Sequence, residues 1–103
     1  MNKNESKKLK EQAEKGDVEA LYKLGLHYLN HPTLFAGRKK GFAYAKAAAD
    51  QGHAGAQYLV GVSYWSGLGA KVNKKEGEKS WRLSAAQGYA SAIDNLKRNK
   101  LDV

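Results

Sequence analysis

Apolar and small residues recur along this chain with a period of 36 positions. Three columns share this spacing, and they contain glycine, alanine and aliphatic residues: Gly16, Gly52 and Gly88; Ala20, Ala56 and Ala92; Leu24, Val60 and Leu96. A fixed period of about 20 to 50 residues indicates a solenoid, in which supersecondary units stack and bury each other's apolar faces. The pattern therefore predicts repeated units that share one elongated core.

Two kinds of helix alternate within this period. Helix A is apolar on most sides, which indicates neighbours on most sides; its copies lie at about 18–30, 54–66 and 90–99. Helix B has lysines on one side and small residues on the other; its copies lie near 5–15, 39–51 and 75–87. Each helix B ends at a period glycine, which favours the left-handed backbone of a C-cap. Asp17 precedes the first helix A as its predicted N-cap.

The order B, A, B, A, B, A predicts the fold class and the domain organisation. We expect an all-α protein, an α/α superhelix of about two and a half antiparallel helix pairs. The 103 residues form one small domain. Its predicted parts are an N-terminal helix at 5–15, repeat units at about 17–52 and 53–88, and a C-terminal capping helix at about 89–100.

Two motifs resemble those of Sel-one-like repeats. Residues 20–28, ALYKLGLHY, and residues 56–64, AQYLVGVSY, are similar to that family's A-x-x-x-L-G-x-x-Y core. Residues 46–52, KAAADQG, and 84–88, SAAQG, are similar to its K-A-A-x-Q-G ending. The first loop departs from the family by placing His31 and Pro32 where glycines are expected. The third unit carries Lys97 and Lys100 in place of glycine and tyrosine, which fits a capping helix with a polar outer face.

The resemblance implies a binding surface, because Sel-one-like repeats are similar to tetratricopeptide repeats, whose A helices line a concave groove. In that register the groove residues are Glu19, Tyr22, Leu26, Leu29, Tyr58, Val62, Trp65, Asp94 and Arg98. An apolar centre with a polar rim is typical of a protein interface. We therefore expect a protein–protein interaction module or adaptor that binds a peptide or a partner helix, with a second copy of the chain as an alternative occupant. The other interpretation is that these side chains fold onto neighbouring helices.

Basic residues also follow the repeat. The chain has 18 basic and 10 acidic residues, which gives a net charge of +8. The recurring cations form a possible anion-binding ladder along the B helices: Lys3, Lys10, Lys39, Lys46, Lys75, Lys79 and Arg82. The alternative function is therefore a basic surface for nucleic acid or another acidic partner. The interpretation that we favour for the ladder itself is a solvated face that keeps the protein soluble.

No residue pattern indicates catalysis. The carboxylates are scattered rather than paired for acid–base chemistry, and cysteine is absent. His27 and His31 have the i, i+4 spacing of two metal ligands on a helix, but no third ligand lies near them. We expect no enzyme activity, no cofactor and no metal. Neither a signal-peptide stretch nor a membrane-spanning run is seen, so we expect a cytoplasmic protein; a mature exported form is the alternative.

Overall fold

The computed structural model describes residues 1–30 and 35–101, with residues 35 and 36 described by their backbone alone. Within these ranges the chain forms six α-helices and no strand: α1 Lys3–Glu14, α2 Val18–Leu29, α3 Phe35–Asp50, α4 Ala54–Ser66, α5 Lys74–Ala86 and α6 Ala90–Arg98. The predicted alternation is confirmed, with α1, α3 and α5 as B helices. Helix α3 begins before the predicted residue 39. His31 and Pro32 lie outside the described residues.

Each helix packs chiefly against its neighbours in the chain. The most extensive contacts join α2 to α3 and α4 to α5, which are the two complete A–B pairs. Of the six described helices, the first, α1, is a B helix and the last, α6, is an A helix. The described part measures 42 × 27 × 17 Å, as expected for stacked units. This arrangement confirms the all-α solenoid.

The turns from helix B to helix A form at the period glycines. Their φ angles are positive: Gly16 85°, Gly52 91° and Gly88 81°. In this left-handed conformation the amide of Gly52 donates to the carbonyl of Ala49 at 2.9 Å, which ends α3. The N-cap of α2 is also as predicted, because Asp17 Oδ1 accepts a hydrogen bond from the amide of Ala20 at 3.0 Å.

The alanine column and the aliphatic column of the period lie in the core. Ala20, Leu24, Ala56, Val60, Ala92 and Leu96 are all at most 2% exposed. In α2 and α4, a glycine faces the following B helix at the level of this core. A Cβ at Gly25 would lie 3.1 Å from the Cβ of Ala45. At the equivalent Gly61, a Cβ would lie within 3.0 Å of three indole atoms of Trp81. Glycine therefore permits the close approach of the helices in both pairs.

Side-chain amides connect successive repeats. Gln87 Nε2 donates to the carbonyl of Gly52 at 2.8 Å and to Oε1 of the buried Gln57 at 3.0 Å. The equivalent amide of Gln51 donates to the carbonyl of Gly16 at 3.4 Å. The bonds to Gly52 and Gly16 each satisfy a carbonyl just past the C-terminal end of the preceding B helix, where intrahelical partners run out. The stacking of the units thus has polar as well as apolar contacts.

Candidate partner-binding face

Two equivalent positions on successive A helices carry half-buried apolar side chains. Tyr22 and Leu26 lie on α2, and Tyr58 and Val62 lie on α4, one period further on. We call these four residues the A-helix face. The third repeat continues the same positions with Asp94 and Arg98, which are exposed on α6. The face is therefore apolar on two helices and becomes charged on the third.

His53 holds Tyr22 in place. The two rings stack with centroids 4.3 Å apart and an interplanar angle of 29°. Nδ1 of His53 accepts a hydrogen bond from the amide of Ala56 at 3.1 Å, so the imidazole is the N-cap of α4. Because Nδ1 is an acceptor, the ring proton lies on Nε2, which donates to Glu19 Oε1 at 2.8 Å. The predicted groove residue Glu19 is thus bound to the next repeat, although its side chain is 62% exposed.

Tyr89 connects the tyrosines of the face. Its ring centroid lies 5.5 Å from that of Tyr58. Burial raises the pKa of Tyr22 to about 12, and the side chain of Tyr89 is the next cause of the rise. Tyr58 and Val62 also pack against the buried cluster that contains Trp81. Tyr22, Tyr58 and Val62 are thus each held in part by a contact within the protein, whereas Leu26 borders open space.

Two predicted groove residues face their own B helices instead. Leu29 is 8% exposed and packs in the core with Ala45 and Val60, so it is not part of the accessible surface. Trp65 occupies the equivalent position in the next repeat and is half-buried. Its ring centroid lies 4.9 Å from that of Trp81, and the Nζ of Lys74 lies 4.7 Å from the Trp65 centroid. Gly41 and Gly77 allow the two side chains to pack towards α3 and α5. The groove role expected of Leu29 is therefore wrong, whereas Trp65 keeps part of its surface accessible and its groove role stays a prediction.

An open trough of about 850 Å³ adjoins the A-helix face at the first repeat. Leu26 lines it from α2 and Leu9 from α1. Leu9 lies one 36-residue period before Ala45, which packs against Gly25 of the preceding A helix, α2. The trough thus adjoins the side of α1 that, in α3 and α5, packs against the preceding A helix. The sequence predictions omitted Leu9 and the N-cap His53, although the period aligns His53 with Asp17 and could have identified its role.

The predicted cation ladder carries both signs of charge. Lys46 Nζ lies 2.7 Å from Asp50 Oδ1, and Arg82 Nε lies 3.0 Å from Glu78 Oε2. The hydrogen bond to Asp50 raises the pKa of Lys46. The other ladder cations, Lys3, Lys10, Lys39, Lys75 and Lys79, are exposed or half-exposed on α1, α3 and α5. Hollows on the outer surfaces of α1 and α5 include Glu11 and Glu78 in their linings. The ladder is therefore not a continuous positive stripe.

Two further expectations concern absences. Among residues 1–30 and 35–101, no group of three or more histidine, aspartate and glutamate side chains could hold a metal ion; His31, one of the two candidate ligands, is outside these ranges. None of the helices in the described part of the chain has both the length and the apolar character needed to cross a membrane. The cytoplasmic location stays a prediction.

Comparison with known proteins agrees with the helical architecture. No curated protein matches the chain. The family model described as "Plant tetratrico peptide repeats" matches residues 1–100. Repeats of this kind generally mediate protein–protein interaction and are typically non-enzymatic. Because the match covers nearly the whole chain, the protein belongs to this family of tetratricopeptide repeats.

Proposed function

We propose that this protein is an interaction module that binds a helical segment of a partner protein on the A-helix face. Within the family, the motifs around Gly25 and Gly61 support a place among the Sel-one-like repeats. The proposal depends mainly on one observation: equivalent positions of α2 and α4 repeat a pair of half-buried apolar side chains. Apolar patches that remain accessible on a monomer commonly mark interaction sites.

The spacing of the anchors favours a helical partner. Tyr22 and Leu26 are separated by one helical turn, and so are Tyr58 and Val62, so each A helix offers two neighbouring side chains. A partner helix placed across α2 and α4 would present its own apolar residues at i, i+3 or i+4 and i+7 to these pairs. Because His53 and Tyr89 already fix the tyrosines, binding would immobilise few additional side chains, which lowers its entropic cost.

Charged residues would form the rim of this interface. Glu19 lies beside Tyr22, and Asp94 and Arg98 follow the face on α6. Rim charges of both signs select a partner of matching pattern and orientation more than they add affinity. The affinity itself should come from the half-buried centre, where aromatic anchors dominate protein interfaces.

The test uses helical peptides selected against the unmodified chain from a display library. Leu26→Asp and Val62→Asp should each lower the affinity about tenfold or more, since anchor residues contribute over 1 kcal/mol. Leu83→Asp is the matched control, because Leu83 is 51% exposed on the B helix α5; it should leave the affinity unchanged. Melting temperatures of all three variants separate lost binding from lost folding. Folded Leu26→Asp and Val62→Asp variants that bind as the unmodified chain does would refute the proposal.

Salt dependence distinguishes this face from the cation ladder. Binding at the apolar face should change little as salt is raised, whereas binding through the ladder should weaken steeply. Self-association is distinguished by sedimentation of the chain alone. If the face is occupied by a second copy, Val62→Asp should convert a dimer into a monomer and Leu83→Asp should not.

A further inference from the structure

Three cations line a small hollow between the start of α3 and the loop that joins α4 to α5. The hollow has a volume of about 170 Å³, and its lining consists of Arg38, Lys39, Gly67, Gly69, Ala70 and Lys71. None of these described lining residues carries a carboxylate. In this respect the hollow differs from those on the outer surfaces of α1 and α5, where acidic side chains accompany the lysines.

Glycine holds the two walls of this hollow together. Gly69 has a φ of 74°, which a residue with a Cβ rarely adopts. A Cβ at this position would also lie within 3.0 Å of the carbonyl carbon and oxygen of Arg38 and 3.1 Å from the Cβ of Phe42. The loop backbone therefore rests directly on the first turns of α3. This contact holds the loop backbone that carries Lys71 against the helix that carries Arg38 and Lys39.

Among residues 1–30 and 35–101, no carboxylate forms an ion pair with these three cations. Arg38 is half-buried, and its Nε is buried without a hydrogen-bond partner among the described residues. The ion pairs found in the described part of the chain involve other residues, Lys46, His53 and Arg82. The first turn of α3 contains no acidic residue, so the positive end of the helix dipole adds to the same field. The three cations repel one another, and an anion in the hollow would reduce that repulsion.

We propose that this hollow binds the phosphate group of a phosphomonoester carried by a phosphorylated protein segment. A pocket that encloses a drug-sized molecule measures about 300–1,000 Å³, so this smaller hollow fits one anionic group whose carrier stays outside. A phosphomonoester brings a charge of about −1.5 to −2 and three acceptor oxygens. Arginine binds such oxygens with a planar pair of donors. Each phosphodiester of a nucleic acid carries only one negative charge, so it offsets three clustered cations less well.

This site is separate from the A-helix face and does not depend on it. The experiment records amide chemical shifts of the full chain at constant ionic strength during titration with four probes. The probes are inorganic phosphate, a phosphoserine peptide, dimethyl phosphate as a matched diester, and a short single-stranded RNA. Arg38→Gln and Lys71→Gln remove one lining charge each. Lys79→Gln is the control, because it removes one exposed charge from α5 outside the hollow.

We expect saturable shifts confined to residues 38–39 and 67–71 with inorganic phosphate and, more tightly, with the phosphoserine peptide. Arg38→Gln and Lys71→Gln should each weaken phosphate binding about tenfold, since a charged hydrogen-bond partner is lost, whereas Lys79→Gln should leave it unchanged. Dimethyl phosphate should bind much more weakly. The proposal is overturned if the diester matches the monoester, if Lys79→Gln acts like Lys71→Gln, or if only RNA binds, with shifts spread along α1, α3 and α5. If the phosphoserine peptide binds no more tightly than inorganic phosphate, the proposal that the phosphate is carried by a protein segment is refuted.

Discussion

Gly61→Ala adds one methyl group at the closest contact between an A helix and a B helix. The new Cβ would lie within 3.0 Å of Cδ1, Nε1 and Cγ of Trp81. The indole is rigid and only 2% exposed, so it has no free space into which it could move. Overpacking of this kind costs about 1–3 kcal/mol, and occasionally more. Replacing glycine by alanine inside a helix returns about 1 kcal/mol, so the gain offsets only part of the cost.

Because three atoms of a buried, rigid ring would be approached too closely, we expect a cost at the upper end of this range, about 2–3 kcal/mol. After the gain in helix propensity is subtracted, Gly61→Ala should lower the free energy of unfolding by about 1–2 kcal/mol, which corresponds to a fall of roughly 5–15 °C in melting temperature for a domain of this size. Gly25→Ala is the matched control at the equivalent position. Its Cβ would lie 3.1 Å from the Cβ and the amide nitrogen of Ala45, so α3 needs to move by only a few tenths of an ångström. The helix-propensity gain should then bring Gly25→Ala within about 1 kcal/mol of the unmodified chain.

Thermal and urea unfolding of four chains measures the contact directly: the unmodified protein, Gly61→Ala, Trp81→Ala and the double variant. Trp81→Ala should cost about 3–5 kcal/mol, because it removes a large buried side chain. In that background the alanine at position 61 meets no indole, so Gly61→Ala should now be stabilising. If Gly61→Ala is neutral in the unmodified chain, or equally destabilising in both backgrounds, the reasoning about this contact is wrong.

Two further predictions concern a turn and a tyrosine. Gly52 has a φ of 91° with open space around it, so Gly52→Val should lower stability by about 1–2 kcal/mol through backbone strain alone. Gly52→Asn should lower stability less, because asparagine tolerates this conformation. Equal melting temperatures for the two variants would contradict this prediction. Because the pKa of Tyr22 is raised to about 12 in the folded protein from about 10 in an unfolded chain, the stability it contributes is present below pH 10 and is lost as the pH rises towards 12. An ultraviolet titration should show one late tyrosine step that Tyr22→Phe removes, and retention of that step would refute the assignment.

The unit boundaries are fixed by local chemistry that is visible in the sequence. Gly16, Gly52 and Gly88 end the B helices because only glycine readily adopts the left-handed backbone that each C-cap requires, and the structure has all three at positive φ. The N-cap of α2 depends on a hydrogen bond between Asp17 and Ala20, which are only three positions apart. Such features need no knowledge of distant contacts, so the period alone predicts six alternating helices. The start of α3 was predicted less well, because the helix begins at Phe35 rather than at the predicted residue 39.

The orientation of side chains around each helix was decided by the tertiary structure. Leu29 and Trp65 are spaced like the groove residues, but Gly41 and Gly77 leave room on the B helices, and both side chains pack there. The roles of His53 and Arg38 also depend on partners more than 30 positions away, namely Glu19 and the Gly69 loop. The sequence by itself determined the repeat, the helices and their caps, because those depend on neighbours along the chain. Only the packed structure decided which faces remain accessible, because burial depends on how close each pair of helices can approach.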